Sequence, residues 1–395
     1  MPKVLRIINR FNLGGPTYNA AYLTKYMSDD FDTLLVGGPK EESEDSSEYI
    51  VKNLGIEPLI IPEMRRAINP FNDIRAYRKI KNIIDSFKPD IVHTHASKAG
   101  TLGRLAALRS KVPVIIHTFH GHIFHSYFRS YKTQVFQNIE QNLAKRSSKI
   151  IAISEKQKYD LSEIYNITKA ENIEVIPLGF DLDKFQENSI QKRIEFRRKY
   201  NISDNEIAIG IIGRLVPIKN HELFLMSIKY VQQNSRKKIR AFIIGDGESR
   251  NILEKKSNDL KIDYIDSKKE NRKATLTYTS WIKDIDNAYA GIDIVALTSL
   301  NEGTPVSLIE AQAANKPIVS TNVGGIENVV IPEKTALLSK NGDSSDFSNK
   351  LLALTENDEL RNNMSQQGWT HVKDKFHYSR LVDNTKNLYY NLLYN

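Results

Sequence analysis

Glu302 and Glu310 stand eight positions apart in NEGTPVSLIEAQAANKPIVSTNVGGIENVV, residues 301–330. Gly303-Thr304-Pro305 between them predicts a helix entry, with glycine for the turn, threonine as N-cap and proline at the first helical position. Glu302 then sits just ahead of the helix and Glu310 roughly two turns into it. A helix N-terminus at such a point favours an anionic ligand. Two other stretches pair charge or glycine with a strand end. Gly213-Arg214-Leu215-Val216-Pro217-Ile218-Lys219-Asn220 directly follows an apolar run, and Asn12-Leu13-Gly14-Gly15-Pro16-Thr17 follows the first such run and opens a helix. The two glycines allow close approach of the backbone, but this is not the GxGxxG dinucleotide pattern.

The elements that must carry these residues alternate in type. In the first half, strands are expected at Val4–Ile8, Thr33–Val36, Ile91–His93, Val114–Thr118, Ile150–Ile153 and Glu174–Ile176, with helical text between, as in Pro16–Met27. Residues 39–48 are polar and acidic and read as a loop. The second half restarts with strands at Ile207–Ile212, Arg240–Ile244, Leu276–Tyr278, Ile292–Leu297 and Pro317–Ser320, and ends in an aromatic-rich helical tail, Phe376–Tyr394. Strand–helix alternation of this kind predicts doubly wound parallel sheets, which take ligands at the carboxyl ends of their strands. KKENRK, 268–273, reads as a solvated loop or hairpin.

Composition narrows the classes. A chain of 395 residues with 40% hydrophobic and 26% charged content suits a globular protein of two or three domains. No apolar run reaches the roughly 18 residues of a membrane span, and MPKVLRIINRF is strand-like, not a signal peptide. The absence of cysteine excludes disulfides and thiolate metal sites and fits a cytoplasmic location. The net charge of +9 is concentrated: from Arg65 to Lys149 there are 16 Lys and Arg against 4 Asp and Glu. Such a segment suits nucleic acid, anionic lipid or a phosphorylated substrate, and no nucleic-acid-binding pattern accompanies it.

Glutamate, seven residues, glutamate, then a small-residue helix and the TNVGG turn resembles the signature of the retaining GT-B glycosyltransferases, in the large family of bacterial capsule, O-antigen and exopolysaccharide enzymes. The resemblance spans essentially the whole chain and is strongest over 207–331. It implies an α/β GT-B fold: two Rossmann-like domains with a deep crevice between them. The expected divisions are 1–180, binding the acceptor; 181–375, binding the nucleotide sugar; and 376–395, a C-terminal helix crossing back to the first domain, with the crossing at Pro177-Leu178-Gly179-Phe180-Asp181.

Site roles follow from the resemblance. The GR…K pattern grips the donor diphosphate, which assigns Arg214 and Lys219; a leaving diphosphate needs such fixed cations. Glu310 resembles the glutamate that accepts from the ribose hydroxyls, and Glu302 the one beside the donor sugar. Backbone donors at Gly303, Thr304 and Val306, and the turn at Gly14 and Gly15, would approach sugar or phosphate. The base should lie near Ser280-Trp281-Ile282-Lys283-Asp284, with Trp281 walling it, although relatives carry glycine where this chain has Ser280.

HTFHGHIF resembles the loop facing the donor sugar, with His120 at the position that contacts a sugar hydroxyl and steadies charge. HTHASKAG resembles the acceptor side and assigns it His93, His95 and Lys98. The paired histidines could suggest a metal, but no carboxylate cluster accompanies them, and no Asp-x-Asp of the ion-holding kind is recognised. No metal and no cofactor are expected.

The implied reaction moves a sugar, an N-acetylhexosamine by these resemblances, from a UDP-sugar to a lipid-linked saccharide acceptor. The enzyme would sit peripherally on the inner face of the membrane, meeting an anionic membrane surface through Ile123–Tyr131 and Arg65-Arg66, with no nucleic acid partner. The alternatives are a nucleotide-sugar epimerase of the same fold and a non-catalytic binding protein using the basic face.

Overall fold

Apolar runs bounded by turn residues become strands buried on both faces, as parallel sheets require. The structure is a computed structural model and describes residues 1–11, 15–40, 48–65, 67, 69–120 and 130–394. Two compact units emerge, Met1–Phe180 together with Phe376–Asn395, and Asp181–Lys375.

The first unit holds strands β1 (Lys3–Arg10), β2 (Asp32–Gly38), β3 (Leu59–Ile60), β4 (Ile91–His95), β5 (Val114–Thr118), β6 (Lys149–Ala152) and β7 (Ile173–Val175). Their order is β3-β2-β1-β4-β5-β6-β7, all parallel. The second holds β8 (Glu206–Ile212), β9 (Lys238–Ile244), β10 (Tyr264–Asp266), β11 (Leu276–Ser280), β12 (Ile294–Leu297), β13 (Ile318–Thr321) and β14 (Ala336–Ser339). Its order is β10-β11-β9-β8-β12-β13-β14, again parallel. In each sheet the chain first lays strands on one side of the first strand, with β11 inserted between β9 and β10 in the second, and then crosses to the other side. The switch points, where ligands collect in such folds, fall between β1 and β4 and between β8 and β12.

Three strands have no expected counterpart: β3, β10 and β14, of two, three and four residues. They are edge strands too short to show a period. Because β10 pairs with β11 in parallel, KKENRK is a crossover loop and not a hairpin. Its Arg272 is held by Asp263 and Glu270.

Two helices of the first unit are anchored differently. Pro70–Phe87 begins on Asn69, whose side chain accepts from the Phe71 and Asn72 N–H groups, with Pro70 preset for the first turn. It buries Ala76, Ile80 and Ile84, one per turn. The tail helix Tyr378–Tyr394 packs Leu381, Val382, Leu388 and Tyr389 against Val4, Ile91 and Ile116 of the first sheet and Leu23 of the helix Gly15–Tyr26. The chain enters it through a backbone exchange between Phe180 and both Phe376 and Tyr378.

Candidate active site

At the second switch point the structure joins two of the expected residues. Lys219, in the loop after β8, places Nζ 2.5 Å from Oε1 of Glu302, in the loop after β12. Ser299 donates to the same oxygen at 2.6 Å. The two loops are knitted by backbone: Leu300 N–H to the Ile218 carbonyl, and Thr298 Oγ1 to the Lys219 carbonyl at 2.9 Å. The TNVGG turn closes over them. Gly325 N–H donates to the Glu302 carbonyl at 2.9 Å. A Cβ on Gly324 would lie 2.0 Å from that oxygen, and one on Gly325 would lie 1.9 Å from the Gly303 carbonyl. The glycine pair is therefore a steric requirement of the loop that carries Glu302. Arg214, in the same β8 loop as Lys219, is exposed, and its guanidinium has no side-chain partner among the described residues.

The helix after Glu302 begins one residue later than its sequence suggests. It spans Val306–Ala313, and Pro305 itself occupies the N-cap with ψ 96°. Thr304 makes no capping bond, because proline at that position keeps the preceding backbone extended. The consequence is chemical: the N–H groups of Gly303, Thr304 and Val306 meet no acceptor among the described residues. Gly303 is exposed, with open space where a Cβ would stand.

Glu310 is the fifth residue of this helix, one turn in and not two. It does not contact Lys219 or Glu302. Its surroundings are Lys184, the Tyr289 hydroxyl and Asp286, and burial pushes its carboxyl up to about 7 against the pull of Lys184 and Tyr289.

Trp281 is 42% exposed and lines a cavity of about 540 Å³ with Thr277, Thr279, Ile282, Lys283 and Asp284. None of Arg214, Lys219, Glu302 or Glu310 lines that cavity. Ser280 has φ 55°, at the point where the β11–β9 register shifts. A left-handed backbone explains why glycine suits this position.

The first unit gathers histidines at the ends of β4 and β5. His95 Nδ1 and His120 Nε2 are 2.9 Å apart, and the His93 and His95 rings lie 4.2 Å apart. His93 is clamped from both sides, by the Tyr389 hydroxyl at 2.6 Å and by Thr118 Oγ1 at 2.7 Å. Burial holds all of these imidazoles neutral: His120 falls to about 3, and His93, His95 and His117 are driven well below their ordinary value. His120 Nδ1 and His95 Nε2 are buried without a partner among the described residues. Lys98 is committed elsewhere: its ammonium meets Asp73 at 2.6 Å and the Arg65 and Ala67 carbonyls at 2.8 and 2.6 Å.

Gly15 opens the helix Gly15–Tyr26, while Gly14 lies outside the described residues, as do Arg66 and most of Ile123–Tyr131. An Asp-x-Asp does follow β11, at Asp284-Ile285-Asp286, but Asp286 is paired with Lys192 at 2.7 Å. Among the described residues no three His, Asp or Glu side chains converge on a metal-sized point. No described helix is long and apolar enough to cross a membrane.

Sequence reasoning missed Ser299, Tyr389 and His221. His221 follows Lys219 by two residues; it is 2% exposed, and burial with the Lys219 charge lowers it to about 4. Ser299 lies three residues before Glu302, a legible spacing once the loop is suspected. Tyr389 lies 296 positions from His93 and leaves no local signal.

Two doubly wound parallel α/β units are the architecture of the GT-B glycosyltransferases, and the comparisons identify that class. Residues 192–370 match the family described as glycosyl transferases group 1, and residues 14–184 match glycosyltransferase family 4. The Escherichia coli UDP-Gal:alpha-D-GlcNAc-diphosphoundecaprenol alpha-1,3-galactosyltransferase is 31% identical over 93% of this chain and 91% of its own length. The Staphylococcus aureus capsular polysaccharide biosynthesis glycosyltransferase CapM is 25% identical over 84% of each chain. The crystal structure of Anabaena HepE in complex with UDP superposes with a TM-score of 0.80 at 18% identity, over 98% of this chain and all of the other, which shows the shared fold. The chain belongs to the family of bacterial capsule and O-antigen GT-B glycosyltransferases.

Proposed function

We propose that this enzyme transfers a sugar from a UDP-sugar to a hydroxyl of a polyprenyl-diphosphate-linked saccharide in surface polysaccharide synthesis, with retention at the anomeric carbon. The observation that carries the reading is the Lys219–Glu302 pair, held by two knitted loops at the second switch point beside three N–H groups without acceptors among the described residues. The E. coli relative is named for a UDP donor and a diphosphoundecaprenol acceptor, which supports both substrate classes. Its name also favours UDP-galactose over the N-acetylhexosamine suggested by the histidine segments.

In this reading the second unit takes the nucleotide sugar and the first the acceptor. Arg214, Lys219 and the N–H groups of Gly303, Thr304 and Val306 hold the diphosphate, and Lys219 trades part of its contact with Glu302 for phosphate. Glu302 then turns to the sugar, and Glu310 accepts from the ribose. The acceptor oxygen bonds to the anomeric carbon from the leaving-group side as the bond to the diphosphate oxygen breaks; the hydroxyl proton passes to that departing oxygen, and the cations offset the remaining charge of UDP. His120, neutral and with Nδ1 uncommitted among the described residues, takes a sugar hydroxyl. Two cations and backbone donors do the work of a divalent ion, so the enzyme acts without metal.

A panel of nucleotide sugars tests this by thermal shift, since a ligand of the native state raises its midpoint. Label from the UDP-sugar should then appear on a polyprenyl-diphosphate saccharide, in EDTA as well as without it. A new sugar formed from donor alone would make the protein an epimerase. Loss of transfer in EDTA, restored by magnesium or manganese, would overturn metal independence.

A further inference from the structure

His95 closes β4 and is completely buried, at 0% exposure. A side chain so placed touches no substrate, and its influence must pass through a neighbour. That neighbour is His120, partly exposed just beyond β5, whose Nε2 lies 2.9 Å from His95 Nδ1.

The His95 ring has little freedom. Residues 93 and 95 point to the same face of β4. The His93 ring, clamped between Tyr389 and Thr118, lies 4.2 Å from the ring of His95. Thr118 is also the register partner of His95 across the β4–β5 pair. Directly after His95, Ala96 has φ 66° and ψ 161°, a backbone region that glycine takes and other residues avoid. Strain of this kind persists where the surrounding structure over-determines the chain, and it clusters at functional sites. On the opposite face Thr94 holds His117 at 2.8 Å, so that histidine is bonded elsewhere.

Counting protons gives the bond a direction. Burial, then the neighbouring His93, His120 and Arg6, keep His95 neutral, and burial does the same for His120. Each neutral imidazole carries one N–H and one bare nitrogen. Were His120 Nε2 the donor, the remaining N–H would stand on His95 Nε2, which is buried and meets no acceptor among the described residues. With His95 Nδ1 as donor, that buried atom is a lone pair, and the remaining N–H stands on His120 Nδ1. Orphaned buried N–H groups are rarer than under-satisfied acceptors. The second arrangement puts the spare donor on the partly exposed residue, where a ligand oxygen can take it; the first strands it on a residue no ligand reaches.

We infer that His95 is a positioning residue: it donates from Nδ1 to His120 Nε2, fixes that ring, and leaves the His120 Nδ1–H to donate to an oxygen of the transferred sugar. The oxygen that meets His120 is then a hydrogen-bond acceptor, and its own proton, if it has one, points elsewhere. The purpose of the device rests on the sugar-facing role given to His120 above; the direction of the bond does not.

Long-range nitrogen–proton NMR correlation on the full chain reads the tautomer of each imidazole, and His120→Asn identifies the His120 signals. Wild type should carry its proton on Nδ1 in both His95 and His120. In His95→Ala the bond is gone, and the His120 proton should move wholly or partly to Nε2. Its kcat should fall roughly ten-fold, the worth of one hydrogen bond, while UDP affinity and KM for the UDP-sugar stay near wild type. His95→Asn, whose amide nitrogen can stand where Nδ1 does, should keep the His120 tautomer and recover part of the turnover.

A wild-type His120 protonated on Nε2 reverses the bond and overturns the inference. So does His95→Ala with wild-type turnover, or an equal loss in His95→Ala and His95→Asn with the His120 tautomer unchanged in both, which assigns His95 a merely structural role. If His95→Ala does not fold, the wild-type spectrum and the His95→Asn turnover decide: Nδ1 protonation with turnover retained supports the device, and either one failing overturns it. If His120→Asn keeps full turnover, the sugar-facing reading fails while the tautomer assignment stands by itself.

Discussion

The two switch points solve opposite electrostatic problems. In the second unit a lysine and a glutamate form an ion pair: Lys219 and Glu302 face each other at 2.5 Å, with Arg214 exposed nearby in sequence. In the first unit four histidines lie within reach of one another, and burial strips all of them of charge. A diphosphate requires the first arrangement and sugar hydroxyls the second, because a neutral imidazole both donates and accepts. One parallel-sheet plan, used twice, thus holds an ion pair at one switch point and a set of neutral imidazoles at the other.

The largest expected effect comes from breaking the charged side. Lys219→Ala should weaken UDP binding by roughly a hundred-fold, because it removes a charge-assisted contact and leaves Glu302, 9% exposed, facing the phosphates alone. Arg214→Ala should cost roughly ten-fold. Adding Glu302→Gln to Lys219→Ala should recover part of the affinity. If the double variant binds UDP no better than Lys219→Ala, the repulsion is absent.

The uncharged side breaks differently. Tyr389→Phe deletes one oxygen and leaves His93 Nδ1 buried without its partner, a loss of about 1–3 kcal/mol in stability. Turnover should fall with it, and UDP affinity should stay as in wild type. A chemical-denaturation midpoint and a UDP titration on the same sample separate the two. Unchanged stability would show that the bond to His93 contributes nothing.

Glu310 sharpens the contrast, since it belongs to the charged unit yet is itself held partly protonated. Its carboxyl is raised from the ordinary 4.5 to about 7 by burial. The folded state therefore keeps its proton through that window, and its stability declines as pH rises from 4.5 to about 7, by about 3 kcal/mol in all. Glu310→Gln should remove that decline between pH 5 and 8. With the ionised carboxylate proposed as the ribose acceptor, UDP is expected to bind wild type more tightly as pH rises through about 7 and to bind the variant weakly at every pH. Parallel stability curves for the two proteins would show that the carboxyl titrates normally.

The smallest effect concerns Ser280. Its left-handed φ of 55° costs a serine something that glycine avoids, while glycine loosens the unfolded chain. Ser280→Gly should stay within about 1 kcal/mol of wild type. A larger loss would mean that the serine side chain does more than fill a glycine position.

Much of this contrast was legible in the sequence. Long apolar runs announced eleven of the fourteen strands, and the Glu302/Glu310 spacing with TNVGG pointed to the second switch point. The rest depended on distance or on competing local rules. The short edge strands carry no period, and Pro305 displaced the helix start that Thr304 suggested. Lys98 looked free for substrate until the fold brought Asp73 against it. The clamp on His93 comes from the far end of the chain, where Tyr389 is one aromatic among several in the tail helix.

Calorimetric titration of UDP into wild type, Lys219→Ala and His120→Ala, with turnover measured on the same preparations, tests the central claim most directly. The account expects Lys219→Ala to lose both binding and turnover, and His120→Ala to bind UDP as wild type does while losing turnover. Wild-type UDP affinity in Lys219→Ala, or its loss in His120→Ala, would contradict the division of a charged nucleotide side from a neutral sugar side.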